Sequence, residues 1–408
     1  MNMKRDSSIP NVPGKISAFQ RSELWRITKQ LVSFDTVSAK SNIAAANYLA
    51  NLLDESGFAV QLHKETIKGV EKGTVIAWAG PAAPDGLILS GHTDVVPFEG
   101  QPGWRSDPLE LTSDDQNIFG RGVADMKAFL GQAIVAARQV SLATLRRPLV
   151  FIFTCDEEVT MAGSGRLINV LPQLFTEYPL PMLALIGEPT GFEIFPAHKG
   201  AMVFDIVVQG RGGHSSVPQR GINAIANMAR VILNLQELHE ALQQHPTAEN
   251  QRLFPESPSS TINFGVIAGG LAANMIAETA RLKVGIRLTP GDNADELLKR
   301  VREKSEQAVV PGCSISIENS VMVPSMQSPL TGPLPTLLSQ IMERPIEQGA
   351  PFATDAGYFQ RLGIQSYICG PGLLSEAHQP NEHLSLEHFV GGVEKLVRVI
   401  EGWCVAQE

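Results

Sequence analysis

Three short runs constrain this chain more than any other feature: LILSG (87–91), VFIFT (150–154) and LALIG (183–187). Each is apolar almost without interruption. A strand with one wet face alternates apolar and polar residues, whereas a strand covered on both faces does not. The runs therefore predict buried strands of a sheet that lies between helices. Apolar residues recur at helical spacing in the intervals Met126–Val140 and Gly163–Leu174. Upstream, FAVQLH (58–63) and TVIAWAG (74–80) read as further strands. Leu24, Ile27 and Leu31 mark a helix within Phe19–Leu31. A second helix starts at Ser41, carries Leu49, Leu52 and Leu53, and stops at Gly57. This is an α/β layer pattern.

The character changes near residue 199. AMVFDIVVQG (201–210) reads as a strand, Gly221–Leu242 as a long helix, and QHPTAENQRLFPESPSS (244–260) as a polar connection. Strands TINFGVIAGG (261–270) and TARLKVGIRLTP (279–290) follow, then a helix from Asn293 to about Val309 and a strand SISIENS (314–320). Strand, helix, two strands, helix, strand is the split βαβ order of a ferredoxin-like domain. After Pro324 a helix, the strand QSYICGPG (365–372) and a final helix resume the first pattern. The expected architecture is α/β: a mixed, mostly parallel sheet flanked by helices, built from 1–198 and 322–408. An α+β domain, 199–321, is inserted into it. Residues 1 to about 16 read as a loose arm.

A chain of 408 residues with 43% apolar and 18% charged side chains has ample material for such a core. Its formal net charge of -9 argues against a nucleic-acid or anionic-membrane binder, which needs a basic face. Cys155, Cys313, Cys369 and Cys404 are far apart and form no CxxC pair, so they are expected to be reduced. The first residues lack the apolar segment of a signal peptide, and no run approaches the ~20 residues of a membrane span. Cytoplasm is the expected location.

Acidic and imidazole groups collect at strand ends. SGHTDVVP places His92 and Asp94 two apart, on one side of an extended segment. In GRGVADMKAF, Asp125 opens a helix after a Gly-rich turn. That position suits a plain N-cap as well as a ligand. TCDEEVTMAGS crowds Asp156, Glu157 and Glu158 after a buried strand, where like charges repel unless neutralised. LIGEPT brings Glu188 to the end of another strand, and SEAHQPNEHLSL puts His378 in a polar loop. Each group alone reads equally well as a solvated loop residue. Together they lie where α/β sheets place their sites. Histidine and carboxylate ligands without cysteine point to a catalytic rather than a structural metal position. GRGG (210–213) lacks the third glycine of a dinucleotide fingerprint.

GHTDVVP, GRGVADMKAF, DEEVTMAGS, IGEPT, GRGGHSSVP and AHQPNEH, in this order and with these gaps, resemble the di-metal amidohydrolases that include aminoacylases, carboxypeptidases and deacetylases. The deacetylase branch is the nearest, through IGEPT followed by AHKG (197–200) and GHSS followed by RGINAI (220–225). The resemblance runs from about residue 20 to the C-terminus. It implies a zinc-exopeptidase-like catalytic domain and an inserted dimerisation domain. It also implies two divalent ions, zinc or cobalt, and a small N-acyl amino acid as substrate.

By the same resemblance His92 binds the first metal, Asp125 bridges both, and Glu188 completes the first site. Glu158 and His378 complete the second. Glu157 is the general base, and Asp94 orients His92. A cis peptide is implied at Asp125–Met126. His214 of the inserted domain reaches the active site of the other subunit in a homodimer and stabilises the oxyanion. Asn274 and Arg287 hold the substrate carboxylate. Gly370 and Gly372 line the pocket, and His198 lies near the substrate. His63, His239, His245, His383 and His388 fill no ligand position. A scaffold that kept only the fold would show a damaged ligand set, and all five ligands and the base are present here.

Overall fold

The computed structural model describes residue 20, residues 22–175 and residues 178–405; the expected N-terminal arm lies outside them. Strands β1 (Ala59–Ile67), β2 (Val70–Ala79), β3 (Leu87–His92), β4 (Leu149–Thr154), β5 (Leu183–Ile186) and, after four strands of a second sheet, β10 (Gln365–Ile368) form one sheet. Its order is β1-β2-β4-β3-β5-β10. β4, β3, β5 and β10 run parallel, and the β1–β2 hairpin joins antiparallel at one edge.

Every residue of β3 and β4 is buried, which is the physical reason for their unbroken apolar sequence. Leu87, Leu89, Leu149, Phe151, Phe153 and Leu185 face one layer of helices. In that layer are α1 (Glu23–Ser33), α2 (Ile43–Glu55), α3 (Lys127–Gln139) and, late in the chain, α6 (Pro333–Met342) and α7 (Leu386–Ile400). Their alternates Ile88, Val150, Ile152, Ala184 and Ile186 pack on the other side with Leu167, Leu171 and Phe359. Gly187, just past β5, lets α3 approach: a Cβ there would lie 2.2 Å from the Phe129 ring.

The second sheet holds β6 (Gly200–Gln209), β7 (Thr261–Gly269), β8 (Thr279–Leu288) and β9 (Ser314–Val323) in the order β7-β8-β6-β9. All neighbours are antiparallel, the ferredoxin-like arrangement. Met202, Phe204, Ile206 and Val208 point to one face and meet Met228, Val231 and Leu235 of α4 (Ala224–Gln243) and Val301 of α5 (Ala294–Ala308). Asn223 and Asn293 cap these helices by accepting from Ala226 N–H and Glu296 N–H. This core is separate from the other two.

Three expectations change. The helix over 163–174 is broken into Ala162–Leu167 and Leu171–Leu174, because Pro172 cannot donate into a continuous ladder. The polar stretch 244–260 contains a short helix, Ala248–Leu253, capped by Thr247. Strand β10 ends at Ile368 instead of running through Gly372. Past it the chain turns at Gly372, whose φ is +83°.

Candidate metal centre

Parallel strands end on the same side of a sheet, so their following loops meet. His92 is the last residue of β3, Glu157 and Glu158 follow β4, and Glu188 follows β5. Asp125 immediately precedes the cis peptide to Met126 and the start of α3. His378 comes from the loop after β10, held with a positive φ of 62°.

Asp125 stands between two imidazoles. Its Oδ1 lies 2.9 Å from His92 Nε2, and its Oδ2 lies 3.3 Å from His378 Nε2. Glu188 Oε2 is 3.9 Å from the same His92 nitrogen, and Glu158 Oε1 is 3.1 Å from that of His378. Two clusters result, His92–Asp125–Glu188 and Asp125–Glu158–His378. In each, the potential ligand atoms lie within 4.8 Å of one another.

The donor chemistry fits a pair of cations. His92 Nδ1 is 2.9 Å from the Asp94 carbonyl oxygen, which only accepts, so Nδ1 carries the proton. In the neutral ring the Nε2 lone pair then faces two carboxylates, an arrangement that only a proton or a cation relieves. The titration behaviour follows. Burial opposes charge on His92, yet the bond to Asp125 and the fields of Glu188 and Glu157 hold its pKa well above the ordinary value. Burial also acts to raise Asp125, but bonds from His378 and His92 outweigh it and hold the carboxyl below its usual range. Glu157 and Glu188 go the other way: burial, then mutual repulsion for Glu157 and the Asp125 charge for Glu188, push them well up. The bonds to Asp125 and Glu158 raise His378 to about 10.

The run Asp156-Glu157-Glu158 does not act as one acidic patch. Asp156 adopts φ 57° and turns away to Lys72 Nζ at 2.7 Å and Arg166 Nη2 at 2.8 Å. Glu157 and Glu158 are left for the centre. Asp94 also departs from expectation. Its carboxylate is 3.7 Å from His92 Nδ1, beyond a hydrogen bond, and its backbone carbonyl orients the ring instead. The carboxylate accepts from Ser38 Oγ at 2.7 Å and from the N–H groups of Glu157 and Glu158 at 3.2 Å each. It therefore braces the segment that carries the candidate base.

Two carboxylates escaped the sequence reading. Asp355 is buried and accepts from Thr154 Oγ1 at 2.6 Å; burial raises it to about 6, and its field reaches Glu157 and Glu188. It sits in FATDAGYF (352–359), 201 residues from Thr154 in the sequence. Glu382 is 1% exposed and accepts from Arg121 and from three backbone N–H groups around Asp125.

Of the remaining expected residues, Gly370 and Gly372 adjoin Glu188 and Ala124, whereas His214, Asn274 and Arg287 belong to the chain from 199 to 321. His214 is exposed on a two-residue pairing with Met275, and its Nδ1 accepts from Ser216 Oγ at 2.7 Å. Asn274 is exposed beside it, its carbonyl accepting from Ser215 N–H at 3.1 Å. Arg287 lines a cavity of about 570 Å³ with Lys199, Phe254 and Glu256, between the second sheet and residues 348–351. Gly370 and Gly372 brace the segment after Glu188: their carbonyls accept from Phe192 N–H at 2.9 Å and Gly191 N–H at 2.5 Å. His198 is fully buried, not open to a substrate. Burial lowers its pKa to about 4, and Nδ1 bonds the Lys199 carbonyl at 3.0 Å.

The sequence profile of Peptidase family M20/M25/M40 matches residues 88–402. This chain belongs to that family. The M20 chain is a hydrolase that acts on amide bonds. It is 34% identical to an acetylornithine deacetylase of Photorhabdus laumondii, over 94% of this chain and 97% of that one. An acetylornithine deacetylase of Proteus mirabilis is also 34% identical, over 95% and 97%. Among solved structures, an M20 family metallo-carboxypeptidase of Sulfolobus solfataricus superposes with a TM-score of 0.75 at 16% identity, covering 94% and 99% of the two chains. A dinuclear metal binding peptidase of Bacillus subtilis superposes at 0.66 and 15% identity, covering 94% and 98%. Both share the mixed α/β fold with this M20 chain.

Proposed function

We propose that the chain hydrolyses N-acetyl-L-ornithine to L-ornithine and acetate, the deacetylation step of arginine biosynthesis. The observation that carries the chemistry is the pair of three-ligand clusters sharing Asp125. The named relatives, matched over nearly their whole length, support the substrate. His92, Asp125 and Glu188 would hold one divalent ion, and Asp125, Glu158 and His378 a second, with zinc or cobalt in these places. Such ions supply Lewis acidity to a carbonyl and acidify a water. Glu157, kept protonatable by burial, takes a proton from the attacking water and delivers it to the leaving amine as the C–N bond breaks. Water oxygen ends on acetate and the proton on ornithine.

The same reading divides the chain into a catalytic domain, 1–198 and 322–408, and an inserted domain, 199–321, that forms a homodimer. Support comes from β7, an outermost strand with a free edge and exposed Val266 and Ile267, and from Leu271, 91% exposed. His214 of the partner subunit would then donate to the developing oxyanion, with Asn274 and Arg287 on the substrate carboxylate. Gly370 and Gly372 would shape the pocket from behind Glu188. Asp94 acts as a positioning residue. No helix among the described residues is long and apolar enough to cross a membrane; we place the protein in the cytoplasm.

A desuccinylase of succinyl-diaminopimelate, an aminoacylase or a carboxypeptidase would use the same centre with another pocket. The test is amine release from N-acetyl-L-ornithine, N-succinyl-diaminopimelate, N-acetyl-methionine and a dipeptide, before and after chelation and zinc or cobalt add-back. Chelator-sensitive turnover of acetylornithine alone is expected. Preference for another substrate overturns the ornithine assignment, and metal-independent turnover overturns the centre.

A further inference from the structure

Asp125 and His378 face each other across 3.3 Å, yet they arrive on loops from opposite parts of the chain. A short antiparallel pairing of Asn117–Phe119 with His383–Ser385, and a bond from Gly120 N–H to the Glu382 carbonyl at 3.1 Å, bring the two loops together, but neither Asp125 nor His378 lies in a strand or helix. Beyond that pairing, a chain of side-chain bonds links the two ligands. Glu382, four residues past His378, extends its carboxylate into the loop before Asp125. Oε1 accepts from Ala124 N–H at 2.9 Å and Asp125 N–H at 3.1 Å; Oε2 accepts from Gly122 N–H at 3.0 Å and Arg121 Nη1 at 2.8 Å. Arg121 Nη2 donates to Gln101 Oε1 at 2.6 Å, and Gln101 Nε2 donates to the His378 carbonyl at 2.8 Å. The circuit closes on both ligands. Arg121 also lies over the Trp104 ring at 5.1 Å, which fixes its plane.

We propose that Glu382, with Arg121 and Gln101, is a positioning clasp that sets the separation of Asp125 and His378 and so governs the affinity of the second metal position. The proposal rests on the two-metal reading above. His92 and Glu188 are placed by β3 and β5, so at the first position only the shared Asp125 depends on the clasp, whereas at the second both Asp125 and His378 do. Its loss therefore acts unequally on the two positions. All four groups that meet the Glu382 carboxylate are donors. Glutamine would set an N–H against an N–H, and aspartate would fall one methylene short.

The experiment titrates Co²⁺ alone into chelator-stripped protein by calorimetry, with cobalt absorbance reporting coordination. The wild type is expected to show two events. Glu382→Gln should weaken the looser event by about 10–100-fold, the usual scale for groups behind metal ligands, and leave the tighter one within about threefold. Excess Co²⁺ should then restore kcat with KM unchanged, a rescue that general loosening of the fold does not give. Equal weakening of both events, or no rescue, overturns the clasp. If Glu382→Gln does not fold, Gln101→Ala decides, because it removes only the outer link. It should weaken the looser event alone by a smaller factor, and an unchanged event overturns the proposal. A wild type with two events and unchanged variants rejects the clasp alone. A wild type with one event rejects the two-metal reading beneath it.

Discussion

His92 and His378 are both imidazoles facing Asp125, but the first side chain is 1% exposed and the second 48%. His92 ends a central strand, and its other nitrogen is tied to a backbone carbonyl. His378 sits in a loop with a left-handed backbone, and the circuit through Gln101 and Arg121 holds it. One half of the centre is thus built by the sheet, and the other is assembled by loops and clasped. A half built into the sheet loses little entropy when an ion arrives, whereas a loop half must be ordered to bind. The two halves should differ in affinity, accessibility and response to pH.

The largest expected effect falls on the candidate base. Glu157→Gln should keep both metals, measured by elemental analysis, and lose about 10²–10⁴-fold in kcat; near-normal turnover would remove it as the base. Next come the ligands themselves. His92→Ala should lose the tighter ion and His378→Ala only the looser, each by more than the ~100-fold of a supporting residue. The same metal stoichiometry in both variants after desalting would erase the distinction between halves.

The third effect is on pH. In metal-free protein His378 is raised from 6.5 to about 10 by Asp125 and Glu158. A raised folded pKa stabilises below the unfolded value and loses that contribution as pH rises through the folded one. The melting temperature of the metal-free protein should therefore fall between pH 6.5 and about 10, and His378→Ala should flatten part of that slope. A slope unaffected by the substitution would show that other groups carry it. The smallest effect belongs to Asp355→Asn. Removing a buried charge whose field raises Glu157 should move the acid limb of kcat/KM to lower pH by a fraction of a unit. A limb that moves upward contradicts that electrostatic role.

The strands, and the helices around them, were legible because burial on two faces leaves a direct trace in apolar runs such as VFIFT (150–154). The residues of the two candidate clusters stand in motifs whose order was visible in the sequence. The division of labour within Asp156-Glu157-Glu158 was not: it depends on φ at Asp156 and on Lys72, which reaches it from another strand, β2. The resemblance implies that Asp94 orients His92, and an extended segment puts the two on one side. The actual turn gives the ring the backbone carbonyl and gives the carboxylate to Ser38 and the Glu157 and Glu158 N–H groups.

Local patterns of apolar and polar residues act over a few positions, so the sequence alone determined the strands, most of the helices and the βαββαβ order of residues 199–321. The sequence also determined which chemical groups stand at strand ends. Which carboxylate meets which imidazole was decided only in three dimensions. A hydrogen bond such as that from Asp125 N–H to Glu382 spans 257 residues, and no periodicity reaches that far. Its geometry exists only once the parallel strands have brought their ends, and the loops beyond them, to the same side of the sheet.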